Sequence, residues 1–356
     1  VKTYAQEVVE LALASAPIGK LRIQNKRGNW FETRGQVNIL IVAPFGAGKS
    51  SFLNAVMNAG LGEVITDYTL AGIIGTIKKD GTLIEGTIVN TAGRTTMIDE
   101  FQKFRSKERQ ALLSLMEDQW YKRSLGYKLQ VPVHQKGEFY EIKAENNWFW
   151  IKVVTQFIIS AMQFHNNSTV NKALLSRAFP LILDVDPSEA FLTFLEGNRL
   201  SFDPAIQKIR DKIKHQNVDL PYKVAKYLSD QYEKYVNKYQ LEAGYIIRGL
   251  TDMGRLAGVR ALIDGRSEIT EEDIDYVLKF ARIQMMGYNM QSLTPSAMEV
   301  YQVILNNRDG INQKKIIEIT GLPRMTVFRA LEQLLSKELI TQMKVGRRVF
   351  YFPKDE

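Results

Sequence analysis

The segment from 37 to 57 limits the fold more than any other. Residues 37–42 (VNILIV) read as a buried strand, residues 43–50 (APFGAGKS) as a glycine-rich turn, and residues 49–57 as a helix. A strand that feeds a helix through such a turn is a phosphate cradle. Glycines let backbone N–H groups turn inward, and the helix N-terminus adds a dipole that favours anions. In this reading Pro44, Phe45, Gly46, Ala47 and Gly48 surround the phosphates and Lys49 reaches the terminal ones. The Ser50 hydroxyl holds Mg²⁺. Ala43 stands where the usual pattern has glycine.

A site of this kind also needs carboxylates at the end of a neighbouring strand. Residues 95–100 (TTMIDE) offer them about 50 residues after Lys49. Asp99 is expected to hold the ion's water shell, and Glu100 to orient and polarise an attacking water. The same two carboxylates also suit the positive end of a helix.

The remaining chain divides by pattern. Residues 4–15 read as an amphipathic helix carrying Glu7 and Glu10, which is not the pattern of a leader peptide. Residues 70–89 form two short β-branched runs around Lys78, Lys79, Asp80 and Gly81, a hairpin signal. Residues 121–152 alternate in the β manner, residues 157–162 read as another buried strand, and residues 187–286 as almost wholly helical. A linker is expected at 287–293. Residues 294–352 then give three helices and a hairpin around Val345 and Gly346, the pattern of a winged helix. The expected divisions are 1–35 (helix and linker), 36–186 (α/β core), 187–286 (helical lid) and 294–356 (winged helix).

Composition narrows the function class. With 45% hydrophobic and 24% charged residues, most of the 356-residue chain is globular, with length for two domains and a third small unit. Cysteine is absent, which excludes disulfides and thiolate metal sites, and three histidines leave little for a His-based zinc site. The longest apolar runs fall far short of the ~18 residues that span a bilayer. An intracellular, cytoplasmic protein without a membrane partner is expected. The formal charge of +8 favours polyanionic partners mildly.

From Arg34 to Met116 the chain resembles the AAA+ module of minichromosome maintenance (MCM) replicative helicases. The matching stretches are RGQVNILIV (34–42), LAG (70–72), KDG (79–81), EGTIV (85–89), IDEFQKF (98–104), ALLSLME (111–117) and LSR (175–177). The helical residues 248–274 continue the likeness. The resemblance implies an AAA+ P-loop core with a parallel sheet and β-hairpin inserts, a helical lid and a C-terminal winged helix. It further implies a ring-forming, ATP-dependent DNA translocase or helicase acting in replication, a homo-hexamer using ATP and Mg²⁺. The family's N-terminal DNA-binding domain is expected to be lacking, as in a truncated chain or a shortened virus- or plasmid-encoded relative. The alternative is a nucleotide-switched initiator or loader with slow or no hydrolysis.

By the same resemblance Arg177, next to Ser176, is the arginine finger, and Arg248 or else Arg255 is the second sensor. Gln163, where the family has Asn, is the first sensor, with Asn166 and Asn167 just beyond. DNA contacts are expected from Lys78 and Lys79 on the first hairpin insert, and from Lys122, Arg123, Lys128, Lys136 and Lys143 on the second. The run Trp148, Phe149, Trp150 either stacks bases or packs in a core or interface. In the final unit, ten basic face seven acidic residues between 294 and 356. Arg324 and Arg329 on the third helix, and Arg347 and Arg348 on the wing, would meet DNA, unless the unit docks a protein.

Overall fold

The computed structural model describes residues 4–42, 49–161, 173–182, 202, 204–236, 243–291, 293–346 and 348–354. Helix α1 (Tyr4–Ala14) leads into a hairpin of β1 (Lys20–Gln24) and β2 (Trp30–Arg34). Strand β3 (Ile39–Val42) is buried at every residue, as a central strand covered on both faces must be. Helix α2 (Lys49–Asn58) and β4 (Gly62–Val64) follow.

Residues 70–74 depart from the strand expected there. They form a short helix α3 (Leu70–Ile74), because Thr69 caps it by accepting the Gly72 amide at 3.0 Å. The hairpin is correspondingly shorter, β5 (Gly75–Ile77) and β6 (Leu83–Glu85), turning at Gly81 with a φ of 89°. Helix α4 (Thr87–Asn90) precedes β7 (Thr95–Ile98), and after a short 3₁₀ turn comes α5 (Ser106–Asp118).

Strands β8 (Trp120–Ser124), β9 (Val133–Lys136), β10 (Tyr140–Glu145) and β11 (Trp148–Val153) form an antiparallel sheet in the order β8-β11-β10-β9. The chain then returns through β12 (Gln156–Ala161) and β13 (Phe179–Ile182) to the main sheet. That sheet is five-stranded and parallel throughout, in the order β13-β3-β12-β7-β4. This is an α/β P-loop core.

Strand β7 reads Thr-Thr-Met-Ile, which is polar for a strand buried at all four positions. Its hydroxyls are satisfied: Thr95 donates to Gln156 at 2.8 Å, and Thr96 bonds the hydroxyls of Thr91 (2.6 Å) and Thr155 (2.8 Å). Arg210 also reaches Thr95 at 2.8 Å, and donates to the carbonyls of Leu13 and Leu61. Burial pushes its pKa down to about 9, so it stays cationic at neutral pH.

The helical part contains α6 (Ala205–Ile213), α7 (Tyr222–Val236), α8 (Ala243–Ile263), α9 (Glu271–Leu278) and α10 (Ala281–Gln291), interrupted by a strand, β14 (Val218–Leu220), that the helical pattern did not predict. Strand β14 pairs parallel with β1, and Asp219 binds the Arg22 guanidinium through both oxygens, at 2.5 and 2.7 Å. Residues 1–35 are therefore more than a helix and linker. Val8, Leu13 and Leu21 share one core with Leu228, Met253 and Ile274 of α7, α8 and α9.

The expected linker at 287–293 is also revised, since α10 runs through Gly287. A Cβ built there would come within 2.7 Å of the Pro180 carbonyl oxygen and ring on β13. Gly287→Ala is expected to destabilise the fold by about 1–3 kcal/mol, read from a denaturation midpoint. An unchanged midpoint would mean that α10 does not pack so closely on β13.

The last unit holds α11 (Pro295–Leu305), β15 (Ile311–Asn312), α12 (Gln313–Thr320), α13 (Arg324–Ser336), β16 (Ile340–Val345) and β17 (Arg348–Pro353), with a sheet in the order β15-β17-β16. It has its own core, including Val300, Ile316, Val327 and Leu334. Among the described residues no helix is long and apolar enough to cross a membrane.

Candidate nucleotide site and nucleic-acid interface

Strands β3 and β7 flank β12 and run parallel to it, with Val42 opposite Ala161 and Ile98 opposite Ile159. Their C-terminal ends share one edge of the sheet. Lys49 and Ser50 open α2 at that edge, and Asp99 and Glu100 follow β7 there. The Asp99 carboxylate accepts the Ser160 hydroxyl of β12 at 2.5 Å. Burial pushes the Lys49 pKa down, and the nearby Asp99 and Glu100 charges oppose that shift.

Glu100 has a left-handed backbone, φ 56° and ψ 62°. This is an uncommon conformation for glutamate, and such strain concentrates at functional sites. Its carboxylate is ion-paired with Lys103, whose pKa that hydrogen bond raises. Sequence reasoning missed both Ser160 and Lys103. Pro44, Phe45, Gly46, Ala47, Gly48, Gln163, Asn166 and Asn167 lie outside the described residues, as does Arg347.

Arg177, the expected arginine finger, and Arg248, the expected second sensor, sit at the other edge. Arg177 precedes β13 by two residues, and Phe179 pairs with Ile39 at the start of β3. The four residues of β3 then separate it from the Lys49 edge by roughly 10 Å. Asn38 pins this edge, donating to the carbonyls of Met116 (3.4 Å) and Arg177 (3.2 Å). Glu117, at the end of α5, accepts Arg248 Nη1 at 2.5 Å and lies 3.5 Å from Arg177 Nε. Burial raises the Glu117 pKa, but the Arg248 hydrogen bond and the charges of Arg34, Arg248 and Arg177 outweigh it and hold the group below its usual range.

Arg248 was expected among the nucleotide ligands. Within this chain it is not brought to Lys49, because α8 delivers it to Glu117 instead. Arg255, the alternative, is fully engaged: it donates to Asp252 (2.6 Å), the Arg34 carbonyl (3.0 Å) and Thr33 (2.9 Å). Its side chain is 3% exposed, against 35% for Arg248. Of the two, Arg248 is the accessible guanidinium.

Lys78 and Lys79 are exposed at the β5–β6 tip. The tip leans on the β8–β9 loop: the Tyr127 hydroxyl bonds the Ile77 carbonyl, and Lys79 lies 5.9 Å from the Tyr127 ring centroid. Exposed Lys128 is in that loop, and Lys122, Lys136 and Lys143 are exposed on the sheet. Arg123 needs correction as a DNA contact. Strand alternation turns it inward, where it donates to the Gly75 carbonyl and the Thr76 hydroxyl, both at 3.2 Å, and lies over Phe149. It joins the hairpin to the sheet. The aromatic run splits by the same parity, with Phe149 in the core and Trp148 46% exposed. In the last unit Arg324, Arg329 and Arg348 are exposed, and so are Met325 and Phe328 beside them on α13.

Comparison with known proteins agrees with this geometry. Residues 2–123 match the MCM P-loop domain family. The probable DNA helicase MCM9 of Arabidopsis thaliana is 34% identical over 122 residues, which cover 31% of this chain and 18% of that protein. The DNA helicase MCM8 of Gallus gallus is 34% identical over 126 residues, covering 33% and 15%. The DNA replication licensing factor MCM2 of Arabidopsis thaliana is 30% identical over 124 residues, covering 33% and 13%. The chain thus spans less than a fifth of the length of these relatives. The matched segment contains Lys49, Ser50, Asp99 and Glu100 together with Glu117, and over that segment the chain is similar to the P-loop domain of MCM proteins.

Proposed function

We propose that the protein is an ATP-dependent DNA translocase or helicase that works in DNA replication as a homo-oligomeric, hexameric ring. One observation carries this reading: Lys49, Ser50, Asp99 and Glu100 meet at one edge of the parallel sheet, while Arg177 and Arg248 meet at the other. A site divided in this way needs a neighbour to complete it.

The residues present fit ATP and Mg²⁺. The Ser50 hydroxyl and Asp99 carboxylate are hard oxygen donors, and a magnesium ion takes its other ligands from phosphates and water. Among the described residues no cluster of three His, Cys, Asp or Glu forms an all-protein metal cage. That suits an ion that arrives with the nucleotide. Such an ion neutralises charge on the phosphates. Residues 44–48 would wrap the phosphates, Lys49 would hold the terminal ones, and Gln163 would bond a water or phosphate oxygen. Glu100 would orient the attacking water once its pairing with Lys103 is released. Arg177 and Arg248, aligned by Glu117, would stabilise the charge that develops on the neighbouring subunit's nucleotide. Hydrolysis should rise on adding single-stranded DNA.

The Glu100–Lys103 ion pair also favours a second reading. A base neutralised in this way suits a nucleotide-switched DNA-binding protein that hydrolyses slowly. Slow turnover, indifferent to DNA, would select this reading over the first.

DNA binding should separate into two components. Removing Lys78, Lys79 and Lys128 is expected to weaken binding to any sequence and flatten its salt dependence, because phosphate contacts release counterions. Exchanging Arg324 and Arg329 should instead weaken duplex binding, if the last unit is a winged helix that enters a major groove. Anisotropy titrations at several salt concentrations separate the two. Duplex binding untouched by the second exchange would assign the α13 face, with Met325 and Phe328, to protein docking.

A further inference from the structure

The outer face of the β8-β11-β10-β9 sheet carries side chains that neither the nucleotide site nor the hairpin tips use. Strand parity puts Trp148, Trp150 and Lys152 of β11 on this face, beside Trp120 and Lys122 of β8 and Lys143 of β10. Lys122 and Lys143 pair with Trp150 from its two sides, and Lys152 pairs with Trp120. The faces of the rings are shared with ammonium groups: Lys122 lies 4.4 Å from the Trp148 centroid and Lys143 5.4 Å from that of Trp150. A cavity of about 620 Å³ opens between Trp120 and Trp150, ringed by Lys20, Lys122, Lys143 and Lys152, with Asp118 in its lining.

Large aromatics on the solvent side of a sheet need a reason. Trp120 is 42% and Trp148 46% exposed, while Phe149, Ile151 and Val153 between them fill the core. Alternation alone would have placed polar residues there. The acidic groups of this face are Glu141, Glu145 and Asp118. Glu141 is already shared between Lys143 (2.7 Å) and His134 (2.9 Å). Lys20 donates to Gln119 at 2.8 Å. Its pKa is lowered, first by burial and next by the positive charge of Lys152. Clustered ammonium groups that repel one another favour an anion, and flat rings among them favour a base. A face of a four-stranded antiparallel sheet that presents aromatics can stack two or three bases of an unpaired strand.

We propose that this face is a base-stacking platform for single-stranded DNA. Bases stack on Trp148, Trp150 and Trp120, while Lys122, Lys143 and Lys152 swing from the rings to the phosphates between them. The proposal rests on the DNA-binding reading above and adds a second contact surface to the hairpin tips. Duplex DNA, whose bases are already stacked, does not use it.

The test uses the full chain with labelled oligo(dT), reading label anisotropy and tryptophan fluorescence together. Three of the four tryptophans lie on this face, the other being Trp30. Oligo(dT) should quench their emission, and a blunt duplex should not. W148A with W150A should lower oligo(dT) affinity roughly tenfold or more with an unchanged salt slope, as expected for lost stacking. K122A with K152A should reduce the slope itself. Exchange of Lys78 and Lys79 should weaken binding but leave the quenching at saturation in place. Oligo(dT) bound with full anisotropy change but no quenching would overturn the platform and leave the DNA-binding reading standing, whereas no binding by the unaltered chain would overturn both. Unchanged affinity in folded W148A/W150A protein, or a changed oligomeric state in its place, would also overturn the platform.

Discussion

Lys49→Ala should abolish nucleotide binding, whereas Glu100→Gln should bind ATP and hydrolyse it at least ~100-fold more slowly. The two residues share an edge but have different work. Lys49 is held where burial and the Asp99 and Glu100 charges act on its ammonium, the position of a group that meets phosphate oxygens. Glu100 is set in a left-handed backbone one residue beyond Asp99, and its carboxylate is ion-paired with Lys103. Loss of the carboxylate charge removes the means of polarising a water without emptying the cradle. Binding of a fluorescent nucleotide and release of phosphate, measured on the same preparations, separate the effects. Normal hydrolysis by Glu100→Gln would show that the acidic pair has been misassigned. Lys103→Ala refines the test: if the ion pair restrains the base, this exchange should leave binding alone and quicken turnover.

The second large effect concerns the opposite edge. Arg177→Ala is expected to bind ATP almost normally and to lose about 10³-fold in turnover, since a guanidinium of this kind acts mainly on charge that develops in the transition state. The decisive experiment mixes it with Lys49→Ala protein. Each is inactive alone, yet a mixed ring contains some interfaces with an intact cradle on one side and an intact arginine on the other. Partial recovery of activity would support action between subunits. A monomer of Arg177→Ala with full activity would rule it out. Glu117→Gln should resemble a milder Arg177→Ala, because Glu117 holds both Arg248 and Arg177. The exchange removes the negative charge beside two guanidinium groups without deleting either, while Arg177 keeps its bonds to the Ala173 carbonyl (2.8 Å) and the Ser176 hydroxyl (3.1 Å).

Legibility followed distance along the chain. The strand, glycine-rich turn and helix from 37 to 57 are contiguous, as are Thr95 through Glu100, so local pattern alone proposed the candidate site and predicted the α/β core. Three helices and a terminal hairpin were read the same way in residues 294–352, and those elements lie where the pattern put them. Short-range capping already upset one expectation. The β-branched run at 70–74 became a helix because the Thr69 hydroxyl satisfies the Gly72 amide.

Residue identity and periodicity by themselves determined the buried strands and the hairpin, and marked the candidate phosphate loop and acidic pair, since each is written in neighbouring residues. Only the tertiary structure decided which side chains meet. Glu117 gathers arginines that lie 60 and 131 positions further along, Ser160 finds Asp99 across 61, and Gly287 sits within a helix at a point where Pro180 leaves no room for a Cβ. Arg123 and Lys122 look alike as letters, yet one residue of strand parity sends the first into a hairpin joint and leaves the second on a face with three tryptophans. Hydrogen bonds and packing depend on distance in space. A sequence specifies that distance only through the whole set of contacts the chain makes at once.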